Sequence, residues 1–186
     1  LLRFRLEVTP LHRRPDTPAG PAGAYQTFND HKLTYGVTGQ KYWLSTSVVN
    51  NNKNAIVNGV GLWNATSTPI SYSRTTTKSS SRMDFYNDGN AASPYCAYTA
   101  FYVGTTSVNP YNQNWWWSRV YTTPRLKQPA ICGVAAHRKA VVAHEQGHVM
   151  GLDHANSATT LMYIDIATTN VNAPNGNDIA GINFLY

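Results

Sequence analysis

The sequence predicts an α/β (α+β) fold, a twisted mixed sheet of about five strands with a long first helix, a second helix packed against the sheet and a C-terminal helix. Three observations predict it. Short segments of alternating apolar and polar residues fill the first two thirds of the chain, residues 48–64 repeat apolar side chains at helical spacing, and a second helical pattern at about 135–150 is followed by a tail ending in a short helix.

Residues 1–23 contain Pro10, Pro15, Pro18 and Pro21 with four arginines and too little alternation for a strand. They are expected to be an arm or pro-segment remnant ahead of a single domain over residues 24–186. The alternation of KLTYGV, residues 32–37, predicts a first strand. Between positions 48 and 64, Val49, Ile56, Val60 and Trp63 form one apolar stripe, which predicts an amphipathic helix despite Asn50 to Asn52 and two glycines. Pro69 ends it, and residues 70–74 and 82–86 read as two strands with a Thr/Ser/Lys loop between them. The cluster Asn87-Asp88-Gly89-Asn90 reads as a chain reversal, with calcium as the alternative occupant. Residues 98–103 and 118–122 complete the strands. Trp115, Trp116 and Trp117 cannot all point into one core, so at least one is expected at the surface, as part of an aromatic platform or as packing under loops.

With 186 residues, 42% apolar and 13% charged, the chain suits one domain with a real core. No apolar run approaches the ~18 residues of a membrane span. The net charge of +6 is not arranged as a basic run with interleaved aromatics, which argues against a nucleic-acid partner. Cys96 and Cys132 are the only cysteines; an even pair in a chain rich in Asn, Ser, Thr and Tyr favours a disulfide made outside the cytosol, over two buried thiols or metal ligands. The protein is therefore expected to be extracellular.

Chemistry concentrates in HEQGHVMGLDH, residues 144–154. His144 and His148, four apart, share a helix face and can address one metal ion. Gly151 can take the left-handed conformation that ends a helix, and His154 follows as a third ligand. Three neutral imidazoles leave tetrahedral zinc one open position, filled by water, as in catalytic sites. Glu145, offset by about 100° from the ligand face, can reach that water without ligating the metal. The chain has only two glutamates, Glu7 and Glu145, so the presumed domain spends its one glutamate here. His12, His31 and His137 read as ordinary histidines.

His-Glu-x-x-His-x-x-Gly-x-x-His resembles the signature of the metzincin zinc endopeptidases. Met162, eight residues after His154, and Tyr163 resemble the matrixin branch, the matrix-metalloproteinase type. So do the final segment NDIAGINFLY, with Asp178 at the family's structural aspartate, and VNGVGLWNATSTPISYS, with Trp63 and Pro69 at matching places. The likeness runs from about Lys32 to Tyr186. Departures are Ala155, where matrixins usually have serine, and Ile164, where they usually have proline. No histidine lies between His31 and His137, where the family's second, structural zinc finds ligands, so one zinc per chain is expected.

The resemblance implies a secreted zinc endopeptidase in which His144, His148 and His154 hold zinc, Glu145 activates water, and Met162 forms a soft apolar base under the metal. It further implies a polypeptide substrate lying extended along an edge strand at 98–103, on a chain acting as a monomer. Two other readings fit part of the pattern: a non-catalytic zinc-bearing module that binds peptide or glycan, and a zinc amidase on a non-protein substrate.

Overall fold

A computed structural model describes residues 25–48, 50–127, 132 and 135–186. The expected arm, His12 and Val49 lie outside the described residues. Within them the strands are β1 (Gln26–Thr27), β2 (Gln40–Leu44), β3 (Tyr72–Thr75), β4 (Met83–Asn87), β5 (Ala97–Val103), β6 (Thr106–Val108), β7 (Trp117–Thr122) and β8 (Leu152–Asp153). Helix α1 (Asn50–Asn64) lies between β2 and β3, α2 (Ala135–Met150) between β7 and β8, and α3 (Gly176–Leu185) closes the chain.

The main sheet has six strands in the order β3-β2-β4-β7-β5-β6; β1 and β8 form a separate antiparallel pair. Strands β3, β2, β4 and β7 are parallel neighbours, whereas β5 runs antiparallel to β7 and β6 to β5. The mixed sheet and the three helices agree with the expected class, with one strand more than the sequence suggested. Neither β2, which stands in the place expected for a strand at 32–37, nor β6 was expected; β6 is three residues folded back on β5 through a turn at Gly104, which has φ +59°.

One expected strand is corrected. Residues 32–37 form turns and isolated bridges, and the first strand of the main sheet is β2. Gly36 and Gly39, at φ +73° and +67°, bend this stretch. The alternation there was only apparent: Leu33 is buried with Phe28, Phe101 and Trp115, Val37 joins the main core, and Tyr35 between them is exposed beneath the Arg82 guanidinium. Residues 87–90 finish β4 and lead out of it, with Gly89 at φ +70°, and the turn itself follows at 91–92, where the Ser93 N–H bonds the Asn90 carbonyl. Of the three tryptophans, Trp115 is fully buried and Trp116 is 43% exposed.

Both long helices cover one face of the sheet. Along β7, Ser118, Val120 and Thr122 are buried while Trp117, Arg119 and Tyr121 between them are only half-buried, the period of two expected of a strand covered on one side. Ile56, Val60 and Trp63 of α1 are buried in the main cluster with Val142 and Val149 of α2. The helices approach closely at Gly59, where a Cβ would lie 2.7 Å from the Lys139 carbonyl oxygen and 2.8 Å from Val142. That contact explains a glycine in a helix interior, where it costs about 1 kcal/mol relative to alanine. A disulfide joins Cys96 to Cys132, with Cα atoms 5.8 Å apart, and ties the start of β5 to the chain leading into α2. No helix among the described residues is long and apolar enough to cross a membrane.

Candidate metal centre

Helix α2 carries His144 and His148 one turn apart, both buried, with ring centroids 4.6 Å apart. The helix ends at Gly151, whose φ of +119° lies where side chains are rarely tolerated; a Cβ there would also meet Leu185 and the His31 carbonyl oxygen. Its N–H donates to the carbonyls of Gly147 (3.1 Å) and His148 (3.0 Å), closing the last turn. Two further carbonyls of that turn take side-chain donors: Trp115 Nε1 reaches Val149 at 2.9 Å and the Tyr186 hydroxyl reaches Met150 at 2.7 Å. The chain then runs back as β8 against β1 and delivers His154, whose ring centroid lies 4.7 Å from that of His148 and 5.2 Å from that of His144.

The hydrogen bonds fix which ring nitrogens are free. Carbonyl oxygens only accept, so His144 Nδ1, 2.8 Å from the Leu161 oxygen, and His148 Nδ1, 2.8 Å from the Leu152 oxygen, must each carry a proton. In the neutral rings this leaves both Nε2 lone pairs unprotonated. Burial keeps the rings neutral: it pushes His144 down to about 3, assisted by His154, and His148 well below its ordinary value, assisted by both other imidazoles. His154 is lowered by burial too, with Asp153 and Asp165 pulling the other way.

The three ligand atoms lie within 4.8 Å of one another, and His148 Nε2 is 3.2 Å from His154 Nε2. A tetrahedral zinc with nitrogen bonds of 2.0–2.1 Å separates its ligands by ~3.3 Å, so this edge already has the right length. Neutral nitrogen donors, oriented by backbone carbonyls and enclosed in protein, fit zinc.

Glu145 follows His144 on the helix and is also buried. Burial pushes its carboxyl up to about 7, against a hydrogen bond from Thr99 that favours the charged form. The Thr99 hydroxyl lies 2.7 Å from Oε2. Below the histidines runs the turn containing Leu161 and Met162, whose carbonyls accept from His144 Nδ1 and from the Ala155 N–H at 2.8 Å. Met162 is 2% exposed and packs under Gly147. Of the two departures from the usual matrixin residues, Ala155 is buried and Ile164 is exposed.

All six residues singled out from the sequence, His144, Glu145, His148, Gly151, His154 and Met162, thus come together at one end of α2. His31 and His137 stand outside the cluster. Sequence reasoning missed Thr99, the capping donors Trp115 and Tyr186, and Tyr111, whose hydroxyl holds Asp153 Oδ2 at 2.7 Å next to the third ligand. Thr99 carried a faint signal, as the one polar residue on a strand face shared with Ala97, Phe101 and Val103, the first two of which are buried.

The matrixin family model matches residues 27–186. The chain belongs to the matrixins. It is a zinc-dependent metallopeptidase of that family, and zinc is its cofactor. As a protease of this family it acts on polypeptides. Comparison with curated proteins finds no match.

Proposed function

We propose that this matrixin cuts internal peptide bonds of extended polypeptides, with Glu145 as the general base and then the general acid, and with His144, His148 and His154 as the zinc ligands. Zinc, when bound, supplies a Lewis acid that polarises the scissile carbonyl and makes water easier to deprotonate. Glu145 Oε1 takes the proton from the attacking water and later delivers it to the leaving amine. The two Nδ1–H groups, held by Leu161 and Leu152, keep their rings oriented and electron-rich. Gly151 turns the chain so that His154 can complete the set, and Met162 forms the floor.

The observation that carries this reading is the buried Glu145 carboxylate beside a three-imidazole cluster; its position near 7 matches what a proton-shuttling group needs at neutral pH. The substrate backbone adds itself to β5. Since β6 pairs with Phe101, Tyr102 and Val103, the stretch of β5 outside that pairing is shorter than the 98–103 suggested from sequence. Residues 24–186 form the catalytic unit and 1–23 an arm, in keeping with a family match that begins at residue 27. The Cys96–Cys132 disulfide supports an extracellular site of action. One chain supplies every residue of the site, so a monomer suffices.

The test is Glu145→Gln. Casein or gelatin cleavage should disappear while one zinc per chain stays bound, and a chelator should abolish cleavage by the unmodified protein. Undiminished activity in E145Q would remove Glu145 from the mechanism, and cleavage surviving zinc removal would refute the whole assignment. Exhaustive failure to cut a peptide library would leave a binding module or an amidase.

A further inference from the structure

A carboxylate that must move a proton has to present one oxygen in a fixed direction, and a glutamate side chain with three rotatable bonds does not do so unaided. In this matrixin the fixing contact comes from the sheet. Thr99 lies on the face of β5 turned toward the helices, in register with Val120 of β7, and its hydroxyl reaches Glu145 Oε2 at 2.7 Å. Oε1 has no protein partner among the described residues and is not among their enclosed, unpartnered side-chain atoms. The carboxylate is therefore divided: one oxygen is engaged by Thr99 and the other is left for chemistry.

We propose that Thr99 is a positioning residue, which holds Glu145 Oε2 and thereby aims Oε1 for proton transfer. The inference rests on the assignment of Glu145 as general base. Its physical basis is a charge-assisted hydrogen bond, about twice as strong as a neutral one, formed inside a low-dielectric pocket. Thr99 also lies outside the stretch of β5 that pairs with β6. The strand that receives substrate and the group that activates water are thus joined through one side chain, so docking and orientation of the base are coupled. The same hydroxyl is 3.3 Å from the main-chain oxygen of Glu145. With one proton to donate, it serves the carboxylate through the shorter contact; a hydroxyl spent on the helix carbonyl would be a structural anchor only, and the two roles differ in what their loss does.

The experiment compares Thr99→Val, Thr99→Ala and Thr99→Ser with Glu145→Gln in the zinc-loaded protein, on a fluorogenic peptide that the unmodified enzyme cuts. Two variants without the hydroxyl keep a packing defect peculiar to one of them from deciding the result. In both, kcat should fall by about 10- to 100-fold with KM within about twofold and one zinc per chain retained. T99S should restore kcat to within about threefold of the unmodified enzyme. Calorimetric affinity for a peptide hydroxamate, whose hydroxyl donates to the base, should fall about tenfold in T99V. An orienting role for Thr99 is overturned if kcat or hydroxamate affinity in T99V stays within about threefold of the unmodified enzyme, if zinc is lost along with activity, or if T99S is as impaired as T99V. Should E145Q remain active, the assignment of the base fails instead, and that outcome is separate: an inactive E145Q with a fully active T99V removes Thr99 alone.

Discussion

Asp178, in the first turn of the last helix, accepts the main-chain N–H of Met162 at 3.3 Å and that of Leu161 at 2.9 Å. The same carboxylate takes the Asn175 N–H at 2.9 Å as half of a capping box, so one buried charge holds the start of α3 and the floor of the metal centre together. Leu161 in turn positions His144 through its carbonyl. Burial raises the Asp178 carboxyl, and these three donors oppose that rise. In Asp178→Asn the charge goes and an amide N–H₂ must face N–H donors. A loss of about 2–4 kcal/mol is expected, read from chemical denaturation, together with weaker zinc binding in a competition titration. An Asn variant as stable as the parent would separate the floor from the helix cap.

The three adjacent tryptophans should differ sharply. Trp115 is fully buried and caps the end of α2 through Val149, whereas Trp116 is 43% exposed. Trp115→Phe keeps an aromatic ring but orphans a buried carbonyl, which should cost about 1–3 kcal/mol. Trp116→Phe should stay within about 0.5 kcal/mol of the parent. Urea midpoints of the two variants give the comparison directly, and equal values would contradict the capping role.

How much of this was legible beforehand depended on whether a contact was local in sequence. His144, Glu145 and His148 are spaced by the helix itself, and Gly151 announces the turn that brings His154 back, so the centre could be read from eleven consecutive residues. Helix α1 was visible because Ile56, Val60 and Trp63 all serve one core. Residues 32–37 misled because Leu33 and Val37 serve two different clusters while Tyr35 serves neither, and alternation cannot tell that from a strand. Strands β1 and β8, of two residues each, have no period to detect. Thr99 and Trp115 act on α2 from 46 and 34 residues away, across a sheet register that only the fold supplies.

Protons and zinc compete for the same nitrogens, so the depressed imidazoles set where acid releases the metal. A histidine lowered from 6.5 to about 3, as His144 is by burial, remains neutral when pH falls through 6.5 and gains a proton only near the lower value. The direction is the same for His148 and His154. Dialysis against metal-free buffer at about pH 5 should therefore leave zinc bound, with release as pH approaches ~3. Atomic absorption of the dialysed protein checks this. Release with a midpoint near 6.5 would mean that the rings are solvated and the centre is open.

Two helix glycines should respond to alanine with opposite signs. Gly61, in α1, is exposed, and a Cβ there would meet nothing within 4 Å, so G61A should show the bare helix preference, a gain of about 0.5–1 kcal/mol. Gly147, in α2, would place its Cβ on Met162 Sδ and 3.0 Å from Met162 Cε, with Trp63 Cζ2 behind at 3.6 Å. Methionine bends easily, but this one is 2% exposed and its main chain is pinned by Asp178, so its retreat is limited. The overpacking cost, about 1–3 kcal/mol, should exceed the helix gain. G147A is thus expected to be less stable than the parent and to bind zinc more weakly, because Leu161, next to the displaced Met162, holds His144. Thermal denaturation of both variants with and without zinc measures the two signs; a stabilised G147A would show that Met162 is free to move and that the floor beneath the metal is soft.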